Sequence, residues 1–404
     1  MKKNFLHIFC ALFMCGGFAM ANDTSGQLLP TGEIRFEKQD GIVLKHEALL
    51  LSDTVTVDYL FENITDKPVE TTVFFPIPTI GPIISYWEYP HDFKFRVWAD
   101  GQEIKPEISR KITINGTDVT KYFNLIGVDS YTKTITADFS EDYKELINAG
   151  KPLLKLPAAE QKKLEELGML SKDCLMTEDS TCVNNPNVYH LAGDYKQEVM
   201  YYWKQTFPPH QVIHVRHEYI PSVRSNSIGQ PSAPVTKQLN WSYEENKKGY
   251  WAESSYIITT ANNWKTPIEN FNLLVWGRTG AAVSSYNYGE FSNTRVARKN
   301  YLLETKQNFF PANEILFELA YPDYKDFSES KKVQQILPQL YRVDGPANIR
   351  KTPNGKKIKT VKNGYFLWAY PSKVKDWFTV LLDEKTTGYT HKDNLIPFGK
   401  IDKQ

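Results

Sequence analysis

The chain has 404 residues, a formal net charge of +1, 24% charged residues and 41% hydrophobic residues. This composition excludes an intrinsically disordered chain, because the apolar residues suffice for a core. The near-zero charge gives no basis for nucleic-acid binding, so no nucleic-acid partner is expected. The length allows more than one domain.

The first 21 residues have the pattern of a secretory signal peptide. Met1-Lys2-Lys3 supplies a positive start, an apolar run follows, and Ala19 and Ala21 are the small residues at positions −3 and −1. We predict cleavage between Ala21 and Asn22 and a periplasmic mature protein. No later segment reaches the roughly 18 apolar residues of a membrane span, so the mature chain is expected to have no transmembrane segment. Lipid modification at Cys15 is the alternative, although the residue before it is large where small residues are usual.

Residues 22–328 are predicted to form a β-rich, sandwich-like body. Val55–Phe61 alternates apolar and mostly polar positions, as a half-buried strand does. After a turn, Val69–Phe75 predicts a second strand. Pro76 and Pro78 are expected to end its pairing, because proline cannot donate a hydrogen bond to a neighbouring strand.

Further strands are predicted along the body. Asp100-Gly101 is a hairpin turn signal, with strand residues on both sides. The remaining predicted strands are Gln211–Tyr219, Val235–Tyr243, Tyr250–Thr260, Phe271–Trp276 and Ile315–Tyr321.

A helical insertion is predicted at about residues 141–190. Glu141–Ala149 and Pro157–Leu170 are rich in good helix formers, and the second segment begins with a proline suited to the first turn. Cys174 and Cys182 are the two cysteines of the mature chain, and in an oxidising compartment they most simply form one local disulfide. A nucleophilic thiol is the alternative, but the acidic surroundings would raise its pKa.

No residue is predicted to be catalytic, to bind a cofactor or to ligate a metal. His210, His214 and His217 are close in sequence, but on a strand the last two point to opposite faces and the first two are about 13 Å apart. The chain also lacks the motifs of common nucleophilic and phosphate-binding sites.

The body resembles the secreted bacterial family described as domain of unknown function 4424. The resemblance rests on short sequence segments that are spread over most of residues 22–320. They are Ile42–Leu49, Val57–Asn63, Val73–Pro78, His217–Ser222, Ala261–Trp264 and Asn308–Pro311. It implies export and a β-rich body, and it implies no catalytic residue.

Residues 339–400, after a linker at 329–338, are predicted to form a small separate β-barrel. Short apolar runs alternate with turn residues every eight to twelve positions. Their order resembles the bacterial SH3 domain, with the landmarks Asn348-Ile349-Arg350, Gly364, Trp377–Val380, Gly388-Tyr389-Thr390 and Leu395. Residues 338–404 carry 13 Lys and Arg against 6 Asp and Glu, which leaves a net charge of −8 for residues 22–337.

The resemblance predicts a ligand site on this SH3-like barrel. In the bacterial SH3 domain, the positions that correspond to Leu367 and Ala369 on the mid-domain strand point inward. We therefore expect Trp368 and Tyr370 to face outward. Exposed rings beside cationic side chains would bind a ligand that carries carboxylates. The predicted ligand-binding residues are Arg350, Lys351, Trp368, Tyr370 and Lys373. The alternative is that Trp368 packs on the larger domain.

We expect a non-catalytic envelope protein whose barrel recognises peptidoglycan or a periplasmic protein. A cell-wall hydrolase targeted by the barrel is the main alternative. In a third interpretation the basic barrel is an intramolecular clamp on the acidic body, and its docking weakens as ionic strength rises.

Overall fold

The computed structural model describes residues 23–29, 34–80, 93–126, 150–171, 175–176, 182–183, 190–191, 195–221, 229–240, 250–287, 290–322, 325 and 336–400. Within these residues the protein is mainly β, as predicted, with short α-helices beside the sheets. None of the helices in these ranges is long and apolar enough to cross a membrane.

A seven-stranded sheet is the centre of the body. Its strands, in spatial order, are Tyr301–Phe309 (β20), Ile268–Trp276 (β17), Ile42–Leu51 (β3), Val55–Asn63 (β4), Val212–Tyr219 (β15), Arg96–Ala99 (β6) and Gln102–Ile104 (β7). β17 and β3 pair in parallel, whereas the other neighbours are antiparallel.

Two further sheets cover one face of this central sheet. The six-stranded sheet contains, in spatial order, Ile34–Phe36 (β2), Thr24–Leu28 (β1), Val69–Ile80 (β5), Tyr195–Phe207 (β14), Glu107–Ile114 (β8) and Thr117–Asp118 (β9). The four-stranded sheet contains Tyr250–Tyr256 (β16), Glu314–Tyr321 (β21), Gly280–Asn287 (β18) and Glu290–Val296 (β19). Side chains from all three sheets form one large aromatic-rich core, so the body is a β-sandwich-like assembly.

Strand β3 is buried on both of its faces. Leu49 and Leu51 point into the core between the sheets, whereas Ala48 and Leu50 belong to a second apolar cluster on the opposite face. Because both faces are buried, the sequence of β3 is a nearly continuous run of apolar residues and does not alternate apolar and polar residues.

The prediction that Pro76 and Pro78 end strand pairing is wrong. β5 continues to residue 80, and Pro76 lies opposite Met200 of β14. On the other side of β5, β1 pairs only with residues 72–74. Among the described strands, β5 therefore has only β14 beside it at the prolines, and an edge position tolerates a residue without an N–H.

The local turn signals have mixed outcomes. The hairpin at Asp100-Gly101 is confirmed, with both residues at positive φ between β6 and β7. The predicted strand Val235–Tyr243 is wrong, because residues Ala233–Leu239 form a helix (α3). Pro234 lies in its first turn and Asn240 ends it in the left-handed conformation, two helix boundary signals that outweigh the apolar residues between them.

The helical insertion is partly described. The two α-helices nearest it are Thr120–Ile126 (α1) and Ala158–Glu166 (α2), with a 3-10 turn at Lys151–Lys155. A helix in the predicted segment Pro157–Leu170 is confirmed in α2, but it ends at Glu166, because Gly168 has a positive φ and Leu170 begins a strand. The predicted helix at residues 141–149 lies outside the described residues. Small strands accompany it: Leu170–Ser171 (β10) pairs with His190–Leu191 (β13), and Leu175–Met176 (β11) pairs with Cys182–Val183 (β12). Cys174 lies outside the described residues, so the disulfide stays a prediction.

Residues 339–400 form a C-terminal unit with its own sheet and core. The strands, in spatial order, are Lys357–Val361 (β24), Ala347–Arg350 (β23), Thr387–His391 (β27), Trp377–Leu381 (β26), Phe366–Pro371 (β25), Gln339–Val343 (β22) and Leu395–Pro397 (β28). Val343, Ala347, Ile349, Ala369 and Val380 are fully buried in its core. The interface with the body lies on the other side of β25.

Candidate functional site

The C-terminal unit is docked on the outer face of the central sheet. Trp368 and Leu340 of this unit share an apolar cluster with Ala48, Leu50 and Leu274 of the body. Trp368 is only 6% exposed. The expectation that its ring is exposed to solvent is therefore wrong. Leu367 and Ala369 do point into the unit's own core, so the alternation along β25 is as predicted but its outward face is covered by the body.

Aromatic contacts extend the interface along both sides of Trp368. The ring of His46 lies 4.4 Å from that of Phe366 and 4.7 Å from that of Phe398, in edge-on arrangements. Tyr370 packs edge-on against Trp276, with ring centroids 5.8 Å apart. Edge-to-face pairs of this kind stabilise an interface beyond the area that they bury.

His46 is neutral at this interface. Burial lowers its pKa to about 3, and this outweighs the opposing effect of Asp58. The amide Nδ2 of Asn272 lies 2.7 Å from Nε2 of His46, which therefore accepts a hydrogen bond and is not protonated.

Polar contacts lie at one edge of the interface. The hydroxyl of Tyr301 donates to the carbonyl of Asp383 at 2.8 Å, and Lys299 donates to the carbonyl of Lys385 at 3.0 Å. Arg295 forms an ion pair with Glu384. The docking contacts are thus mainly apolar, with a few charged groups at the rim.

A cleft of about 840 Å³ separates the body from the C-terminal unit beside Trp368. Its body wall, called the charged wall below, carries the charged side chains Asp53, Asp58, Lys94, Arg96, Arg216 and Glu218, and it also includes Thr54, Thr56, Leu50, Tyr219 and Ile220. Its opposite wall is mostly apolar and comprises Ile336, Leu337, Pro338, Tyr341, Trp368, Ala369 and Pro371, together with the polar Gln339. The charged wall has three acidic and three basic side chains, so it is amphoteric.

A hydrogen-bonded array fixes the charged wall at its centre. Arg216 donates to Asp58 at 2.9 Å and to Glu218 at 2.7 Å. Nε2 of His214 lies 2.8 Å from the second oxygen of Asp58. Burial alone would raise the pKa of Asp58, but Arg216 and His214 together outweigh it and hold the pKa below its usual value. Asp58 is therefore ionised, and it orients the Arg216 guanidinium.

Arg96 lies on β6, next to this array. It pairs with Glu103 at 2.8 Å and lies 4.5 Å from the ring centre of Trp98. In the strand register it is directly opposite Glu218. Acidic and basic side chains therefore lie opposite each other on the neighbouring strands β4, β15 and β6 of the cleft wall.

The predicted cationic ligand residues Arg350, Lys351 and Lys373 do not line this cleft. Arg350 is half-buried and donates to the carbonyl of Gly355 at 2.8 Å, and Lys351 is exposed beyond the end of β23. Lys373 is exposed in the turn after β25. In the sheet, β27 and β26 separate β23 from β25. Arg350 and Lys351 therefore lie two strands away from Trp368 and Tyr370, whereas Lys373 follows the end of the strand that carries both rings.

The three histidines have separate environments. His210 pairs with the exposed Asp66, His214 is part of the cleft array, and His217 is fully buried between the sheets. No group of three His, Cys, Asp or Glu side chains is positioned to hold a metal ion in the part of the chain that the structure describes.

Sequence reasoning missed the residues of the charged wall. Asp58, Arg216 and Glu218 alternate with buried residues on β4 and β15, a pattern that equally suits any solvated sheet face. These side chains form one charged wall only because β4 pairs with β15, and the sequence alone does not show that pairing.

The fold and the cleft define a β-sandwich-like protein with a docked C-terminal unit. The chain belongs to the family described as domain of unknown function 4424, whose model matches residues 21–250 and 232–316. No curated protein matches the chain.

Solved structures show weaker likeness. A candidate nutrient binding protein from Legionella pneumophila is 12% identical with a TM-score of 0.32, and the match covers 75% of this chain and 73% of that one. A mutant M1 zinc metallopeptidase from Deinococcus radiodurans is 10% identical with a TM-score of 0.22, and the match covers 80% of this chain and 47% of that one. TM-scores this low do not establish a shared fold.

Proposed function

We propose that this protein is a non-catalytic, exported binding protein of the cell envelope. Its C-terminal unit is an SH3-like barrel, which together with the body holds the stem peptide of peptidoglycan in the cleft between them. The observation that carries this proposal is the cleft itself, with one amphoteric wall and one apolar, aromatic wall.

The charged wall favours a ligand that carries both signs of charge. Asp58 and Glu218 hold Arg216 in place, so its guanidinium loses little conformational freedom on binding. Arg96 is 53% exposed along its side chain and is available to a carboxylate that competes with Glu103. A short peptide with free carboxylates and an ammonium group matches the three acidic and three basic groups of this wall.

The apolar wall supplies contact area. Trp368 is buried at the interface and Tyr341 in the core of the C-terminal unit, yet both line the cleft. Aliphatic parts of a peptide, or the face of a sugar, would pack on such a surface while the charged ends reach the body. The docking of the two units therefore forms the proposed site.

The absence of a catalytic role is part of the proposal. Asp58 and His214 form a hydrogen-bonded pair near the cleft, but both are committed to orienting Arg216 and the sheet. A hydrolase acting on the cell wall is the alternative, and it differs in one observable, the release of soluble fragments.

The test is calorimetric titration of the mature chain with a purified muropeptide that carries its stem peptide. The variant is Arg96→Gln, and the matched control is Lys359→Gln, an exposed residue on β24 away from the cleft. We expect Arg96→Gln to weaken binding about tenfold or more, because a hydrogen bond to a charged group is lost, and Lys359→Gln to leave it unchanged.

Other outcomes separate the alternatives. Loss of binding in Lys359→Gln alone would move the ligand to the lysine-rich β23–β24 hairpin. No binding to the muropeptide by the unmodified protein, together with no retention on isolated sacculi, would refute wall recognition. Soluble fragments released from sacculi would show a hydrolase.

A further inference from the structure

The hairpin formed by β23 and β24 carries a dense group of positive charges. Residues 345–375 contain eight Lys and Arg and no Asp or Glu. Six of these eight lie within residues 347–362, which we call the basic hairpin, and they are Arg350, Lys351, Lys356, Lys357, Lys359 and Lys362. The five lysines are all exposed. A surface with this density of one sign of charge attracts partners of the opposite sign.

Positive side chains lie directly opposite each other across this hairpin. In the strand register, Arg350 is opposite Lys357. At the tip, the backbone N–H of Lys351 donates to the carbonyl of Lys356 at 2.9 Å, so these two residues are also opposed. Like charges at opposed positions of an antiparallel pair destabilise that pair. An anionic partner would offset this cost.

The lysines of the basic hairpin form no ion pair within the residues that the structure describes. The nearby acidic side chains are paired elsewhere in the molecule. Asp376 pairs with Lys392 at 2.8 Å, and Glu384 pairs with Arg295 of the body. The positive charge of the hairpin is therefore not neutralised by these carboxylates.

The basic hairpin lies on a side of the C-terminal unit that is separate from its interface with the body. β24 is an edge strand among the described strands, and β23, β27 and β26 separate it from β25, which packs on the body. Residues 357–360 are all exposed. The cleft is lined by other residues, so a partner on the hairpin would not occupy the proposed ligand site.

Protection of the sheet edge explains only part of this charge. Lysines on an edge strand prevent another strand from pairing with it, and Lys357 and Lys359 suit that role. Lys351, Lys356 and Lys362 lie outside β24, where they do not protect its edge. The charge therefore extends beyond what edge protection requires.

An exposed apolar side chain favours a membrane surface over a soluble polyanion. Ile358 lies between Lys357 and Lys359 and is 46% exposed. An apolar side chain flanked by lysines can enter the headgroup region of a bilayer while the ammonium groups contact lipid phosphates. Residues 347–362 contain no aromatic residue, so the hairpin offers no ring on which nucleic-acid bases would stack.

We propose that the basic hairpin is a docking surface for a lipid bilayer that contains anionic lipids. Its lysines bind the headgroup phosphates electrostatically, and Ile358 enters the interface between them. The inference is independent of the proposed ligand, because the hairpin and the cleft use different residues.

The test is co-sedimentation with vesicles, and it uses the mature chain so that the apolar residues of the predicted signal peptide are absent. Vesicles of phosphatidylcholine with about 30% phosphatidylglycerol are compared with vesicles of phosphatidylcholine alone. At low salt we expect binding to the anionic vesicles to be at least about tenfold tighter, and to weaken at least about tenfold in about 0.5 M NaCl, because salt screens exposed charges. Equal binding to both compositions, or no binding to either, would overturn the proposal.

A triple variant tests whether the hairpin is the docking surface. Replacing Lys356, Lys357 and Lys359 by glutamine should weaken binding about 100-fold, because each lysine beside an anionic membrane contributes about a factor of five. The matched control replaces three exposed lysines of the body in the same way, Lys105, Lys196 and Lys204. The control should weaken binding by about threefold at most, since these lysines lie away from the hairpin. An equal loss in both triple variants would refute docking through the hairpin.

A charge-preserving variant separates loss of charge from loss of structure. Replacing the same three hairpin lysines by arginine should preserve binding, and every variant should melt within about 2 °C of the unmodified chain, because substitutions on the surface change stability little. Loss of binding in the arginine variant would contradict the electrostatic contact.

Two competitors distinguish a membrane surface from other anionic partners. Inorganic phosphate should compete no better than chloride at equal ionic strength, and stronger competition would indicate a discrete phosphate site. Double-stranded DNA should bind more weakly than the vesicles at the same concentration of phosphate groups, and tighter binding would indicate a nucleic-acid partner. Either of these contrary results would overturn docking on a bilayer.

Discussion

Replacing Trp368 by alanine should undock the C-terminal unit while leaving that unit folded. The indole is 6% exposed, so nearly its whole surface is removed from water. At about 25 cal/mol per Å² and roughly 150–250 Å² for a large aromatic side chain, its burial stabilises the docked state by about 4–6 kcal/mol as an upper limit. Core Trp→Ala substitutions cost about 3–5 kcal/mol, so we expect a loss in that range.

The effect should be located at the interface. Trp368 packs with Leu50 and Leu274, whereas the unit's own core uses the opposite face of β25, with Ala369 at its centre. Hydrogen exchange should therefore show lost protection in β3 of the body and at β25, but retained protection in β26 and β27. The matched control is Tyr365→Ala, because this ring is 59% exposed and its removal should cost less than about 0.5 kcal/mol.

The assay is urea unfolding followed by hydrogen exchange of the same samples. A loss of less than about 1 kcal/mol for Trp368→Ala, with unchanged exchange in β3, would refute the burial of this ring against the body. A loss confined to β26 and β27 would show that the indole belongs to the core of the C-terminal unit.

Three further predictions follow from buried groups and from the sequence. The folded pKa of His46 is about 3 and the unfolded value is about 6.5, so the unfolded chain binds the proton between these values. The contribution of neutral, buried His46 to stability is complete above pH 6.5 and is lost as the pH falls towards 3. His46→Gln removes this titrating group, so the urea midpoint should fall less between these two pH values. Ser232→Ala should destabilise by about 1–3 kcal/mol in urea unfolding, since Glu318 is 1% exposed and loses the hydroxyl that donates to it at 2.5 Å. Because the proposed export would place the chain in an oxidising compartment, mass spectrometry of the purified protein with and without reductant should show a Cys174–Cys182 bridge, and a free thiol on either residue would contradict it.

The contacts between the C-terminal unit and the body bear on the third interpretation, in which the basic barrel is a charge-driven clamp on the acidic body. The observed interface combines the apolar cluster around Trp368 with the Arg295–Glu384 ion pair at its edge. Apolar contacts do not weaken with salt as exposed ion pairs do. Separately produced halves that dissociate completely at moderate ionic strength would contradict the predominance of the apolar contacts.

Local patterns along the chain were sufficient for many of the elements. Period-two alternation located β4, and Asp100-Gly101 located the β6–β7 hairpin, because both depend on residues close together in sequence. The alternation along β25 also separated Ala369 from Trp368 correctly. Such signals say which face of a strand a side chain is on, and that much was determined by the sequence alone.

Only the tertiary structure decided what covers each face. Trp368 faces away from its own unit's core, and a ligand or the body could equally have covered it until the docked position was known. Pro76 remains within a strand because β1 ends its pairing before that point, a property of the neighbouring strand. The charged wall exists because Arg216 lies opposite Asp58, residues 158 positions apart. Contacts between residues so far apart in sequence depend on how the strands and sheets assemble. The local spacing of residue types does not predict that assembly.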